Sequence, residues 1–395
     1  METLSFNLGM DPETFLRDYW QKKPLHIKGA MQGHTGLLDE NDLAGLACED
    51  QAESRLVYKE KNGVNWAVES GPFSPADLEV LPETGWSLLV QDVDKFLPDV
   101  ARFRSCFRFV PDWRLDDIMI SFSPEGGGVG PHVDLYDVFL VQGKGVRRWE
   151  IENRVCNLDE EPYLENSDLR VLTSFSADQS WDMEPGDVLY LPPGVPHRGT
   201  SLQSSMTWSV GFRSPSASDI LTGFSQFLSK HLTEDQRYTD PDLRKQPHPA
   251  EITRDSLLKI KSLMTRHLEN DDLLTQWFGS FITSPKGGDA CAFAPAPAEK
   301  PFSPHEVRQL LINSSHLTRD EGSLISWTEG ESGKLSLFVN GTTYVFDISQ
   351  KSWIEFISSG YELSAFDLTK AIGQDESRLS FLTELISQGI FYPES

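Results

Sequence analysis

Apolar positions recur with two different periods along this chain, and the change between them divides it. The opening pattern is helical: Asp11 can cap, Pro12 suits the first helical position, and Phe15, Tyr19 and Trp20 form an apolar stripe. A short extended run, Leu25-His26-Ile27, follows Lys22-Lys23-Pro24, and residues 39–48 read as a second short helix. From Arg55 onward strand patterns prevail, at 55–60, 64–68, 86–91, 117–123, 136–142, 146–152, 187–191 and 206–212, with Gly, Pro and Asn between them. Many short strands separated by turn residues predict an antiparallel sandwich or barrel.

Beyond residue 212 the period becomes helical. Ile220, Phe224, Phe227 and Leu228 mark one amphipathic helix, Leu257, Leu258, Ile260, Leu263 and Met264 a second, and Leu273, Leu274, Trp277, Phe278 and Phe281 a third. Three helices make only a small core, which predicts that they complete themselves against the preceding domain or against a second copy of the chain. Residues 284–304 read as a linker, with Pro285, Gly287, Gly288, Pro295, Pro297, Pro301 and Pro304. The remainder predicts a helix at 304–313, a hairpin at 334–347 turning at Asn340-Gly341, helices at 365–372 and 377–387, and a last strand at 389–392. Helices with one hairpin resemble a winged helix. The expected organisation is therefore α+β: a barrel over 1–212, a helical domain over 213–283 suited to dimerisation, a linker over 284–304 and a winged-helix-like domain over 305–395.

Charge sharpens this division. The 395 residues carry 35 Lys and Arg against 60 Asp and Glu, a net charge of −25. Residues 1–212 hold −17 of it, 213–283 only −1, and 284–395 the remaining −7. Such a surface repels phosphate backbones and anionic lipid, so direct nucleic-acid binding is not expected even from a winged helix, whereas a basic protein partner is attracted. Two acidic chains associate only through a weakly charged apolar surface. The helices of 213–283 offer one, and a homodimer through the 220–228 and 273–281 stripes is the expectation. No stretch approaches the length of a membrane span, and the first residues lack a basic region followed by an apolar one, so a cytoplasmic protein is expected. Cys48, Cys106, Cys156 and Cys291 form no Cys-x-x-Cys pair and read as buried free thiols.

The chemistry concentrates in Gly126-Gly-Gly-Val-Gly-Pro-His132-Val-Asp134. A flexible glycine run delivers a His-x-Asp at the expected start of a strand, where residues two apart share a face, so His132 and Asp134 can bind one ion. A third ligand is expected from Pro192-Pro-Gly-Val-Pro-His197, where a rigid turn after an apolar strand presents one imidazole. Two histidines and a carboxylate form the facial triad of non-haem iron(II) oxygenases, which leaves three positions open for a bidentate co-substrate and dioxygen. The other seven histidines read as surface or packing residues. Arg147, Trp149 and Ile151 share the inward face of the next strand, while Arg148, Glu150 and Glu152 share the outward one. An inward arginine needs an anion, and the distal carboxylate of 2-oxoglutarate suits its fork. The alternative is an ion pair with a protein acid. Ser121 or Ser123, on one face of a neighbouring strand, could reach the same carboxylate. Asp116-Asp117 reads as solvated charge, and neither a phosphate loop nor a Gly-x-Ser-x-Gly elbow is present.

The segment Asp112-Trp-Arg-Leu-Asp-Asp-Ile-Met-Ile-Ser-Phe-Ser, the glycine run with His132-Val-Asp134-Leu-Tyr-Asp-Val-Phe, Pro-Pro-Gly-Val-Pro-His197 and Ser209-Val-Gly-Phe-Arg resemble the bacterial JmjC-type ribosomal oxygenases. Within them the resemblance is to the arginine hydroxylases of the large-subunit protein L-sixteen, and it spans the whole chain. It implies a double-stranded β-helix of the cupin/JmjC type, a helical dimerisation region and a C-terminal winged-helix-like domain. It further implies Fe(II) on His132, Asp134 and His197, 2-oxoglutarate on Arg147 with a pocket serine at Ser121, dioxygen as oxidant and a basic ribosomal protein as substrate. Related enzymes of this architecture hydroxylate histidine. N-methyl demethylation and a non-catalytic metal-binding cupin are the other readings.

Overall fold

The computed structural model describes residues 4–34, 37–59, 66–156, 161–164, 169–233, 235–285, 293–330 and 333–394. The strand start at Val64, the linker glycines Gly287 and Gly288, and Cys291 lie outside the described residues. The chain divides into two units, Met1–Ser214 with Leu317–Gly322, and Pro215–His316 with Ser323–Ser395.

The first unit begins with β1 (Ser5–Phe6), α1 (Pro12–Asp18), β2 (Leu25–Ile27), β3 (Met31–Gln32) and α2 (Glu40–Leu46). It continues through β4 (Ser54–Lys59), β5 (Trp66–Ser70), α3 (Pro75–Glu79), β6 (Trp86–Val90), α4 (Pro98–Phe103) and β7 (Leu115–Ser123). It ends with β8 (Val138–Lys144), β9 (Arg147–Ile151), β10 (Gln179–Met183), β11 (Val188–Leu191), β12 (His197–Ser201) and β13 (Ser205–Phe212). An eight-stranded sheet has the order β2-β11-β8-β13-β7-β6-β4-β5, and a three-stranded sheet the order β10-β9-β12. Their pairings are antiparallel.

The central strands of the large sheet are buried on both faces, which is why they read as apolar runs rather than alternations. Phe139, Val141, Val188 and Tyr190 face one core, shared with Phe15 of α1 and Val100 and Phe103 of α4. Their neighbours Val138, Leu140, Leu189 and Leu191 face a second core with Trp149 and Ile151 of the small sheet. α1 forms as the sequence predicts, with the Asp11 side chain accepting from the Thr14 N–H at 2.9 Å and Pro12 opening the helix. β10 and β12 had no sequence signal. Gln179-Ser-Trp-Asp-Met and His197-Arg-Gly-Thr-Ser are too polar to show a period, and they are strands because β9 pairs with both.

The second unit holds α5 (Ala217–His231), α6 (Arg254–Leu268), α7 (Asp271–Thr283) and α8 (Pro304–Asn313), then, after β14 (His316–Arg319), of which only His316 is assigned to it, β15 (Ile325–Glu329), β16 (Lys334–Val339) and β17 (Thr342–Asp347). It closes with α9 (Lys351–Ser358), β18 (Glu362–Ser364), α10 (Ala365–Ile372), α11 (Glu376–Ser387) and β19 (Phe391–Glu394). The hairpin turns at Asn340-Gly341, both with positive φ, as a tight type I′ turn demands. α9 is an addition to the sequence reading. Its β-branched and aromatic residues are weak helix formers, and burial of Trp353, Ile354 and Ile357 stabilises it.

The helical stripes pack differently from expectation. Phe224, Leu228 and Trp277 are buried against one another with Phe227 and Phe281 around them, so α5 and α7 consume their own aromatic faces. α6 has no buried residue, and Leu257, Leu258 and Met264 are 57%, 54% and 61% exposed. Cys48, Cys106 and Cys156 are free but half-buried rather than buried.

α7 also packs on β16 through Gly279, where a Cβ would come within 2.2 Å of the Phe338 ring. Gly279→Ala should gain about 1 kcal/mol of helix propensity yet lose more by overpacking, about 1–3 kcal/mol. A lowered urea midpoint checks this; a raised one shows that the ring moves aside.

Candidate metal centre

The site is built on one pair of residues. His132 N–H donates to the His197 carbonyl at 3.0 Å, and His197 N–H donates to the His132 carbonyl at 2.9 Å. Directly opposed residues of an antiparallel pair project to the same side, so the two imidazoles stand together, ring centroids 4.2 Å apart. This corrects the sequence argument. His132 and Asp134 do not share a strand face, because β8 starts only at Val138 and the preceding chain is irregular apart from the His132–His197 bridge. Asp134 is held through its main chain instead, its carbonyl accepting from Gly194 N–H at 2.8 Å. The glycine run matters for close approach: a Cβ on Gly128 would lie 2.3 Å from the Gly199 carbonyl of β12.

The donor atoms of His132, Asp134 and His197 lie within 4.8 Å of one another and could hold a metal ion. Each imidazole Nδ1 sits 3.0 Å from a backbone carbonyl two residues earlier, Gly130 for His132 and Val195 for His197. A carbonyl only accepts, so each proton belongs on Nδ1 and each Nε2 lone pair is free for a metal. Asp134 Oδ2 is 3.5 Å from His197 Nε2. Burial first, and then the neighbouring His132, pull the His197 pKa down to about 4 against the opposing charge of Asp134. The imidazole is thus neutral at pH 7, as a ligand must be.

A cavity of about 280 Å³ opens beside these donors. Its walls follow the strand alternation: Arg55 and Val57 of β4, Ser87 and Leu89 of β6, Asp117, Met119 and Ser121 of β7, and Arg147 and Trp149 of β9. Arg147 is 3% exposed, and burial lowers its pKa to about 10, so it stays charged at neutral pH. Its Nη1 donates to Ser123 Oγ at 3.2 Å and its Nη2 to the Gly199 carbonyl at 3.4 Å, while its Nε has no partner. Among the described residues no carboxylate pairs with it, and a buried cation of this kind is suited to an external carboxylate. Arg148, the next residue, is exposed and paired with Asp182 at 2.6 Å.

The two serines separate. Ser123 is turned to Arg147 and to Ser87 Oγ at 2.6 Å, whereas Ser121 lines the cavity. Gly199 was missed by sequence reasoning; a Cβ there would press within 2.6 Å of Arg147 Nε and 2.8 Å of the Trp149 ring. Asp117 was misread. It lines the cavity, two and four positions from Met119 and Ser121 on the same face, and that spacing was visible in the sequence. Asp116 pairs with Arg213 at 3.1 Å. Tyr136 joins Asp117 at the wall, its pKa raised chiefly by Asp134, then by burial and by Asp117, so the phenol keeps its proton.

The JmjC domain family matches residues 102–220, and the ROXA-like winged helix family matches residues 266–392. The ribosomal protein uL16 3-hydroxylase of Escherichia coli (strain K12) is 34% identical over 99% of this chain and 100% of its own length. A probable ribosomal oxygenase of Haemophilus influenzae is 30% identical, covering 95% of this chain and 93% of its own. The structure of Escherichia coli YcfD, a ribosomal oxygenase, in complex with cobalt and 2-oxoglutarate, superposes with a TM-score of 0.84 at 33% identity, over 99% of this chain and 100% of that one.

Because His197 is buried uncharged, the unfolded chain binds a proton between pH about 6.5 and about 4 that the folded, metal-free protein refuses. Stability should therefore decline as pH falls through that window, and His197→Gln should remove this component. Urea unfolding at a series of pH values reads it; an unchanged pH slope in the variant would show that His197 is not the desolvated group.

Proposed function

The chain belongs to the JmjC-type ribosomal oxygenases, and from that premise we propose that it is an iron(II)- and 2-oxoglutarate-dependent hydroxylase of an arginine side chain in ribosomal protein uL16. The observation that carries the oxygenase reading is the set of His132, Asp134 and His197 beside a buried Arg147 that meets no acid among the described residues. Two imidazoles and one carboxylate fit iron(II) on one octahedral face. Bound iron with 2-oxoglutarate and dioxygen supplies the oxidation that converts C–H to C–OH and releases succinate and carbon dioxide.

The protein's own part is placement. His132, Asp134 and His197 hold the iron, and Arg147 binds the far carboxylate of 2-oxoglutarate as a bidentate, charge-assisted pair, with the Ser121 hydroxyl beside it. Trp149, with the Arg147 guanidinium over its ring at 5.1 Å, shields that pair from water. The arginine target is favoured by the cavity wall. Asp117 and Tyr136 converge over Gly211, where a Cβ would lie 3.1 Å from Asp117 Oδ1 and 3.8 Å from the Tyr136 ring. A carboxylate with a protonated phenol suits a guanidinium better than a neutral imidazole. The charge of −25 steers a basic ribosomal protein toward the enzyme, and a ribosomal substrate places the reaction in the cytoplasm.

We further infer a homodimer. The exposed apolar face of α6, together with the exposed Ile220 and Leu274 of the α5 and α7 stripes, offers the surface for a second copy, in the segment of net charge −1.

Intact-mass comparison of ribosomal proteins with and without the enzyme tests the function. A gain of about 16 mass units on uL16 is expected, with peptide mapping placing the oxygen on arginine. Oxygen on histidine points to the sister activity, a loss of about 14 units to demethylation, and no turnover to a binding module. Arg147→Ala should raise the 2-oxoglutarate KM by about 30-fold or more, as loss of a charge-assisted pair of about 2–3 kcal/mol implies, while Arg148→Ala changes it little. Equal effects would refute the face assignment. For the dimer, light scattering should give about twice 44.5 kDa, and Leu258→Asp with Met264→Asp should return 44.5 kDa. A monomeric wild type removes the dimer.

A further inference from the structure

Two cations of the cavity have no part in the chemistry above. Arg55 stands on β4, on the same face as Val57, and both line the cavity. It pairs with Leu89 of β6, which pairs in turn with Ser121 of β7, so Arg55 lies in the Ser121 row, two strands away. That is about 10 Å along the hydrogen-bonding direction of the sheet. Arg170 reaches the same cavity from the chain between β9 and β10. Its neighbours Leu169 and Val171 pack with Val57 and Leu89. The segment is tied down by Leu164 N–H to the Val171 carbonyl at 2.9 Å and by Leu172 N–H to the Pro131 carbonyl at 2.8 Å, one residue before His132.

The charges are out of character for their surroundings. Residues 1–212 carry a net −17, yet this wall of the cavity holds two guanidinium groups. Arg55 Nη2 is 2.5 Å from Glu53 Oε1, but the side chains are 43% and 59% exposed, and so exposed a pair is worth little and readily exchanged. Arg170 is exposed and meets no acid among the described residues. Asp117 stands on β7, two strands from β4, so the cavity has an acidic wall and a basic one.

We propose that Arg55 and Arg170 form an acceptor-binding wall for the target segment, taking carbonyl or carboxylate oxygens of the residues that flank the hydroxylated one. This rests on the protein-hydroxylase reading above and adds orientation to it. The target cation turns toward Asp117 and its flanking oxygens toward Arg55 and Arg170, so the chain enters in one direction only. Arg147 serves the co-substrate, and the new wall serves the protein.

Steady-state kinetics on uL16 from the same organism, and on 20-residue peptides around its modified residue, test the wall. Arg55→Ala with Arg170→Ala should raise the KM for both substrates about tenfold or more with a smaller change in kcat, and Arg55→Lys should recover part of the loss. An unchanged substrate KM overturns the proposal. So does a parallel rise in the 2-oxoglutarate KM, which would place Arg55 in the co-substrate site. Peptides with each Asp or Glu changed to its amide identify the oxygen. If one amide reproduces the loss in wild type and adds nothing in the double variant, the acceptor is that carboxylate. If none does while the double variant still loses affinity, the acceptors are main-chain carbonyls. Unmodified uL16 with the wild-type enzyme overturns the proposed function itself, and the wall falls with it.

Discussion

The reciprocal hydrogen bonds between His132 and His197 join two stretches that lie far apart in sequence, and the geometry of the site follows from them. An antiparallel pair that exchanges both backbone bonds leaves its side chains no freedom of side, so two imidazoles must emerge together. Once they do, the backbone carbonyls of Gly130 and Val195 fix both tautomers, and Asp134 needs only its Gly194 contact to complete the set. Strand β12 is therefore more than a ligand carrier. Its Gly199 carbonyl binds Arg147 and its bare Cα makes room for that guanidinium, so His197 and the buried Arg147 are positioned by one five-residue strand.

The two cores of the first unit make this placement rigid. Alternate residues of β8 and β11 bury themselves against the helical layer on one side and against the small sheet on the other. Polar groups on the inner side then sit among buried apolar side chains, where His197 stays neutral and where, among the described residues, Arg147 bonds to neutral partners. A charge that finds no protein counter-ion in such a place is an affinity held in reserve for an anionic ligand. Among the described residues no helix is long and apolar enough to cross a membrane.

Local chemistry made much of this legible in advance. The His-x-Asp after a glycine run, the Pro-Pro-Gly turn before His197 and the inward face of Arg147 each carry their meaning within a few residues, because ligand types, turn residues and strand alternation are short-range signals. The same holds for the Asp11 cap, the Asn340-Gly341 turn and the amphipathic helices of the second unit. The place of Asp117 beside the cavity was legible too, through its spacing from Ser121, but two adjacent acids look like surface charge until the strand pairings are known.

What the sequence determined was the list of parts: strands then helices, two imidazoles with a carboxylate, one inward arginine and a steep excess of acid. What only the tertiary structure decided was which of these meet. The pairing of β12 with β9, the Gly199 notch, the choice of Ser123 rather than Ser121 as the support of Arg147, and the burial of the α5 and α7 stripes against each other all depend on partners distant in sequence. A one-residue change of register would turn every one of these side chains to the other face, and no local pattern records the register, because it is set by the sum of contacts across the sheets.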